Sequence, residues 1–358
     1  MKKRKLFPMF ISIAASIFFL VGCNSISSTQ ENTSNNSDSG QVVEGRKLIV
    51  GMITDEGSLG DKSFNDITYK GLTKAKEDFG IDLQVLEPKQ NTDFIPYMER
   101  LSKNSDLVVG VGYKLKEVIS DASKKNSKVN YVMIDDVVEG DNVYNINFKE
   151  EEGSFLAGVL AGMMTKTNKI GFIGGTDSPL IKKFEVGFIA GVKSVNPEAG
   201  KLLEDGNTSR YAGTFSDVSK GYEIGKSLFD DGVDIVYHAA GAVGIGMFRA
   251  AKETGNYCIG VDQDQTLTLP EYEDVILTSM IKKLDIAVYD VVRKTLENGF
   301  VATTVELGLK DGAVSLVENK NGKVTQQVLD KVEEYSNKIK NGEIVVPKTI
   351  EELKNFNI

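Results

Sequence analysis

Twelve residues, Thr54-Asp55-Glu56-Gly57-Ser58-Leu59-Gly60-Asp61-Lys62-Ser63-Phe64-Asn65, bring together carboxylates, hydroxyls, an amide, an ammonium and one aromatic ring. Carboxylates only accept hydrogen bonds, so they select ligands with N–H or O–H donors. A ring beside them adds a flat apolar face. Together these groups suit a polar, flat small molecule. The stretch follows the apolar run Leu48 to Ile53 and precedes a patterned segment ending near Phe79. Strand, glycine-rich turn and helix start is the order found at the carboxyl edge of a parallel strand, where α/β sheets bind ligands. A plainer account also exists: Asp61 and Ser63 cap a helix, and Gly57 and Gly60 only turn the chain. Phe64 argues against that being all. A ring expected to be exposed at a helix start is wasted unless it packs on something.

Similar polar groups recur after other apolar runs. They are Asp135-Asp136, Gly174-Gly175-Thr176-Asp177, Gly241 to Gly246, Asp262-Gln263-Asp264 and Lys282-Lys283. Each has a structural alternative: a strand end, a turn, tight helix packing, or a solvated charge pair. The glycines near Gly241 do not have the spacing of a dinucleotide fingerprint after a first strand. His238 is the sole histidine and lies in a predicted strand, which favours a hydrogen-bonded core residue over a catalyst. Phe215, before Ser216-Asp217, again puts a ring at a predicted helix start and mirrors Phe64-Asn65.

The elements that must position these groups alternate. Strand-like runs at 48–53, 83–86, 107–111, 131–134 and 143–148 are separated by helix-length segments, which predicts a parallel sheet covered on both faces. The pattern restarts at Lys169. Runs at 169–173, near Leu202, at 211–215, 235–238 and 257–261 again alternate with helices. Two doubly wound units follow, the first from 47–148 with about 280–304, the second from 149–279 with about 305–320. Residues 301–305 read as a crossing between them, and Gly312 between Leu309 and Val314 as a hairpin. A helical segment, 321–358, closes the chain. If both sheets present their carboxyl ends to one cleft, all the polar clusters meet there.

The amino terminus predicts a compartment. Lys2-Lys3-Arg4-Lys5 precedes an apolar stretch from Leu6 to Val21, then Leu20-Val21-Gly22-Cys23. A basic start, a short apolar run and small residues mark a secretory signal. The run is shorter than the roughly 20 residues that a membrane span needs. Its cysteine resembles a bacterial lipobox, which implies cleavage after residue 22, acylation of Cys23 and anchoring at the extracytoplasmic face of the cell membrane. Residues 23–46, rich in Ser, Asn, Thr and Gly, read as a disordered tether.

Removing the leader's four basic residues takes the formal charge from −9 to −13. The body has no basic stripe, so nucleic acid is not an expected partner. With Cys23 acylated, Cys258 has no internal partner, and its apolar neighbours place it in a buried strand. No metal, thiol or cofactor chemistry is indicated. There is no GxSxG, HExxH or P-loop, so an enzyme is not expected.

Several of these stretches occur together in one known family. Asp55-x-Gly57 with Gly60-Asp61-Lys62-Ser63-Phe64-Asn65, Glu152-Gly153-Ser154-Phe155-Leu156-Ala157-Gly158, Ala240-Gly241-Ala242-Val243-Gly244, Gly260-Val261-Asp262-x-Asp264-Gln265 and Thr278 to Lys283 stand in the order seen in the Bmp (basic membrane protein) lipoproteins. The resemblance covers about Lys47 to Val317. It implies a type I periplasmic-binding-protein fold, α/β, with two Rossmann-like lobes, three crossings and a ligand cleft between them. It further implies a purine nucleoside ligand (adenosine, guanosine or inosine class) and an ABC permease and ATPase as partners. On this resemblance Phe64 and Phe215 sandwich the base, and Asp55 and Asn65 lie beside it. Asp135 ends the fourth strand, and Gly241, Asp262 and Lys282 meet the ribose. Asp136 and Lys283 stand as one-residue alternatives to Asp135 and Lys282. The usual Ala-Gly-Gly-Thr-Gly here reads Ala240-Gly241-Ala242-Val243-Gly244. A sugar or autoinducer ligand on the same fold, or a sensory lipoprotein without transport, are the competing readings.

Overall fold

A computed structural model of the chain describes residues 46–317 and 322–357. The leader, Cys23 and all but the last residue of the tether lie outside the described residues. The first sheet is built from β1 (Ile49–Ile53), β2 (Asp82–Leu86), β3 (Leu107–Gly110), β4 (Asn130–Ile134) and β5 (Val143–Phe148), with helices α1 (Phe64–Phe79), α2 (Phe94–Asn104) and α3 (Lys116–Lys125) between them. The chain then crosses to α4 (Glu150–Met164) and a second sheet. That sheet carries β6 (Ile170–Gly174), β7 (Ser209–Tyr211), β8 (Ile235–Ala239), β9 (Tyr257–Asp262) and β10 (Ile276–Lys282). Its connections are α5 (Pro179–Val195), α6 (Pro197–Glu204), α7 (Val218–Asp230), α8 (Val243–Thr254) and the short α9 (Gln265–Thr268). The chain returns to the first lobe through α10 (Leu284–Asn298) and β11 (Thr303–Leu307). It crosses again to β12 (Val314–Leu316) and ends in α11 (Gln326–Lys340) and α12 (Ile350–Lys354).

The sheets repeat one order, β11-β5-β4-β3-β1-β2 and β12-β10-β9-β8-β6-β7. All pairings are parallel except β10 with β12. Parallel strands covered by helices on both faces are buried throughout, which is why Leu107-Val108-Val109-Gly110 reads as an unbroken apolar run. Helix ends follow local chemistry. The Ser178 hydroxyl accepts from Ile181 N at the start of α5, with Pro179 at its first position. Gly80 ends α1 in the left-handed conformation, donating to Lys76 O.

Three expectations change. Leu202 lies in α6, not a strand, because Asn196 caps and Pro197 opens a helix there. β10 stays in the second sheet to Lys282 and β11 in the first to Leu307, so the changeovers fall at 283 and 308 rather than near 280 and 305. The strands flanking Gly312 belong to different sheets and form no hairpin.

The Glu152–Gly158 motif has a packing role. α4 lies against α5 so closely that a Cβ on Gly158 would stand 2.2 Å from Phe188 O, and one on Gly191 1.9 Å from Phe155 O. This burial traps Glu151, whose Oε2 finds no partner among the described residues. Burial first, then Glu150, lift its carboxyl from 4.5 to about 7. The folded chain therefore holds a proton that the unfolded chain has released, and stability falls as pH rises through that window. Glu151→Gln should melt like the parent at pH 4 and be more stable by roughly 3 kcal/mol at pH 8. Identical melting at pH 8 would show that this carboxyl carries no strain.

Candidate functional site

In a 2-1-3-4-5 sheet the chain leaves the first and third strands in opposite directions, and a crevice opens at their carboxyl ends. Both sheets present this crevice to a shared, narrow cavity with about 60 Å³ of free internal space. It is lined from the first lobe by the loops after β1, β3 and β4, and from the second by the loop between β7 and α7, the start of α5, and the ends of β8, β9 and β10. Asp55, Phe64, Asn65, Asp135, Phe215, Gly241, Asp262 and Lys282 all line it.

The loop after β1 is braced from within. Asp61 accepts from the backbone N–H groups of Ser63 (2.9 Å), Asn65 (2.8 Å) and Asp66 (3.2 Å), so it does cap α1. Asn65 donates Nδ2 to Asp55 Oδ1 (2.7 Å) and Asp61 Oδ2 (3.0 Å), and accepts from Asp55 N (3.2 Å). Both amide hydrogens are used, so Asn65 orients Asp55. Gly57 N also donates to Asp55 Oδ1 at 2.8 Å, which leaves Oδ2 of Asp55 to accept from a ligand. Burial raises the Asp55 carboxyl, against the Asn65 and Gly57 bonds. Burial likewise lifts Asp61 to about 7. Phe64 is half-buried rather than exposed.

Phe215 lies in the loop after β7, the second strand of its lobe, whereas Phe64 follows the first. The two are therefore not topological mirrors, although both rings reach one cavity. The second-lobe loop equivalent to the one before Phe64 is Gly175-Thr176-Asp177-Ser178, and it leads into α5 at Pro179 with no ring at the helix start. A Cβ on Gly175 would lie 2.1 Å from Phe215 Cε1, so this glycine seats the ring. Gly244 leaves room for the His238 ring in the same way, and Gly246 lets α7 and α8 touch. His238 is a core residue, fully buried, and burial pulls its pKa down to about 4.

The true mirror pair is Asp135 and Asp262. Each ends the fourth strand of its lobe, and each has φ of 68°. A left-handed aspartate is strained, and such residues gather at functional sites. Asp262 accepts from the Ser63 hydroxyl of the other lobe. Lys282 donates to both Asp135 oxygens at 2.6 Å and ion-pairs with Glu150 at 3.0 Å. Burial alone would lower the pKa of this ammonium, but Asp135, Glu150 and Asp262 together hold it above its usual value. Burial raises Asp135 to about 7 even with Lys282 beside it. The neighbouring alternatives are used elsewhere. Asp136 pairs with Lys116 at 2.9 Å, and Lys283 is the residue just before α10.

Lys282 also lies 5.2 Å from the Phe64 ring centroid, 5.0 Å from Phe148 and 5.8 Å from Phe184. Lys114, held by Glu56 at 2.8 Å, lies 5.5 Å from the Phe215 centroid. Each lysine reaches its ring from the opposite lobe. The Tyr113 hydroxyl and Thr176 Oγ1 meet across the cleft at 2.7 Å. Gly112, Tyr113, Lys114, Leu180, Ile181 and Phe184 line the cavity without having been expected. The strand-end rule would have found Gly112 to Lys114, which follow β3. Nothing in the sequence marked the apolar start of α5. The wall thus offers carboxylate oxygens, four aromatic rings and two lysines. Among the described residues no group of three or more His, Cys, Asp or Glu side chains could hold a metal ion.

Two lobes of this topology joined by three crossings make the type I periplasmic-binding-protein fold. An ABC transporter solute-binding protein from Aeropyrum pernix K1 superposes with a TM-score of 0.76 over 86% of this chain and 98% of its own, at 27% identity. The family described as ABC transporter substrate-binding protein PnrA-like (Bmp) matches residues 48–350, and the chain belongs to that family. It is 34% identical to the ABC transporter nucleoside-binding protein BmpA of Lactococcus lactis, covering 97% of this chain and 99% of that one. It is 38% identical, over the same shares of each chain, to the CD4+ T-cell-stimulating antigen of Listeria innocua. This is a family of substrate-binding proteins rather than enzymes, and its members work outside the cytoplasm in association with the membrane. Among the described residues no helix is long and apolar enough to cross a membrane.

Proposed function

We propose that this chain binds a purine nucleoside between Phe64 and Phe215, is anchored to the membrane by acylated Cys23, and hands its ligand to an ABC permease. The observation that carries the reading is that rings from two different lobes line one cavity also lined by Asp55, Asp135 and Asp262. Stacking on flat faces, together with acceptors for N–H and O–H, is what a base joined to a ribose needs. Asp55 Oδ2 accepts from the base edge, with Asn65 holding Asp55 in place. Asp135, Asp262, Lys282 and Gly241 surround the ribose. An uncharged nucleoside enters an acidic cleft freely, whereas a nucleotide is repelled. The relative from Lactococcus lactis, named as nucleoside-binding, supports the same reading.

Mass spectrometry of the ligand released from purified protein tests the class directly. A nucleoside is expected; a pentose or hexose without a base sinks the reading and favours a sugar. The ribose assignment has its own test. Wild-type protein should bind guanosine about tenfold more tightly than 2′-deoxyguanosine, the worth of roughly one buried hydrogen bond. Asp262→Ala should reduce that ratio to near one. A ratio unchanged in the variant places the ribose elsewhere.

A further inference from the structure

Gln265 closes the motif Gly260-Val261-Asp262-x-Asp264-Gln265, yet it does not line the cavity. It is fully buried at the start of α9. Its Oε1 accepts from Val261 N at 2.9 Å and is 3.0 Å from His238 Nε2. Its backbone N–H donates to Ser279 Oγ at 3.2 Å. Its Nε2 donates across the cleft to the carbonyl of Lys62 at 3.0 Å. Lys62 has φ of 53° and belongs to the loop that carries Ser63 and Phe64. With two donors on Oε1, the amide has one orientation, and its N–H₂ faces the other lobe. The Val261 N–H fixes an oxygen at that place, and His238, neutral and fully buried, supplies the second donor through Nε2–H.

We propose that Gln265 is a positioning residue that latches the first-lobe loop against the second lobe when the cleft closes, and that His238 sets the sense of its amide. Neither residue touches the ligand. The latch holds Lys62, two residues from Phe64, so it fixes where that ring stands. It also explains why the only histidine is buried beside a glutamine and why Gly244 is kept clear for its ring. The proposal rests on ligand binding in this cleft, but its first readout does not need the ligand.

Gln265→Glu is the isosteric test. The new carboxylate keeps an acceptor for Val261 and His238 but turns a second acceptor on the Lys62 carbonyl. Protonation restores a donor. The other titratable groups nearby are Asp262, which accepts from Ser63, Asp264, which caps α9, His238 itself, and Asp61 and Lys62 on the facing loop. They are present in wild type too, so the variant is read as a ratio to wild type at each pH. Spin labels at Glu139→Cys and Lys220→Cys, one on each lobe, report the interlobe distance in the protein as purified. At pH 8 the variant should lose the closed population that wild type shows, and at pH 5 regain it. With guanosine as the probe, its affinity should fall on the order of 10–100-fold at pH 8 and recover at pH 5. Wild-type closure at pH 8 overturns the latch, and so does an equal loss at both pH values, which assigns the residue to packing. If Gln265→Glu does not fold, Gln265→Met should open the cleft at both pH values; wild-type closure in that variant also overturns the latch. His238→Leu should give a smaller loss that His238→Gln, which keeps a donor, recovers. Equal affinity of His238→Leu and wild type removes His238 from the latch. If wild type closes normally but binds no nucleoside, the nucleoside reading fails and the latch stands on the distance data.

Discussion

Lys282→Met should destabilise the folded protein by about 3–5 kcal/mol, the cost of removing one partner from a buried charge cluster. Lys282 is 1% exposed and has Asp135 and Glu150 within 3.0 Å. Without its ammonium, Asp135, Glu150 and Asp262 face one another in a dry site. Methionine keeps the length and the apolar stem, so lost packing contributes little. The pH dependence identifies the cause. Burial already lifts Asp135 to about 7 from an ordinary value of 3.8. A carboxyl raised on folding binds its extra proton in the folded state, so its contribution to stability falls as pH climbs from about 4 through the folded value. Removing Lys282 moves that window upward. The loss should therefore be smaller at pH 5, where the cluster can protonate, than at pH 8. Asp135→Asn in the Lys282→Met background should recover part of the loss, because one carboxylate is gone and the amide is nearly isosteric. Thermal or urea melts at both pH values read all of this. A loss below about 1 kcal/mol at pH 8, the level of an exposed pair, would mean that water reaches the cluster.

The sequence made much of this architecture readable, and the reasons are physical. A strand buried on both faces has no polar positions, so runs such as Ile49 to Ile53 and Ile235 to Ala239 stand out from the amphipathic helices between them. The strand-end rule then places Asp55, Asp135, Gly241, Asp262 and Lys282 at one edge of each sheet, and in the folded chain they line one cavity. Asp135 against Asp136 could not be settled from the order of residues, since a strand end can direct either side chain inward. The pairing with Lys282 across 147 positions is a tertiary fact. The role of Asn65 was hidden for a similar reason. Its amide is consumed by Asp55 and Asp61, which only the turn at Gly57 to Gly60 brings together. Phe64 and Phe215 look symmetric by their nearness to a helix start, but they follow strands of different rank in their lobes, which residue order alone does not display. Short β7, with three residues, was displaced by the unexpected α6. Local rules thus give the elements and their ends, while contacts between lobes depend on how the three crossings fold one sheet over the other.

Phe64→Ala and Phe215→Ala should each weaken nucleoside binding by about 1–3 kcal/mol, the worth of one base–aromatic stack. Both rings are half-buried at the cavity wall rather than core residues, so each variant should melt near the parent when no ligand is present. That separates them from Lys282→Met, which acts on folding first. A leucine at either position keeps apolar area but loses the flat face, and should recover only part of the affinity. The double variant distinguishes a clamp from two independent contacts. Two independent rings would give additive losses. In a clamp, removing one ring lets the base tilt away from the other and lowers the population of the closed cleft, so the second ring has less to contribute and the double variant loses less than the sum. The lysines predict a further coupling. Lys282 stands over Phe64 and Lys114 over Phe215, each from the opposite lobe. Lys114→Met should therefore weaken binding when Phe215 is present and have little effect in the Phe215→Ala background. Calorimetric titration with inosine and guanosine across this set gives each coupling energy. Parental affinity in both alanine variants would remove stacking from the mechanism and leave the carboxylates to hold the ligand alone.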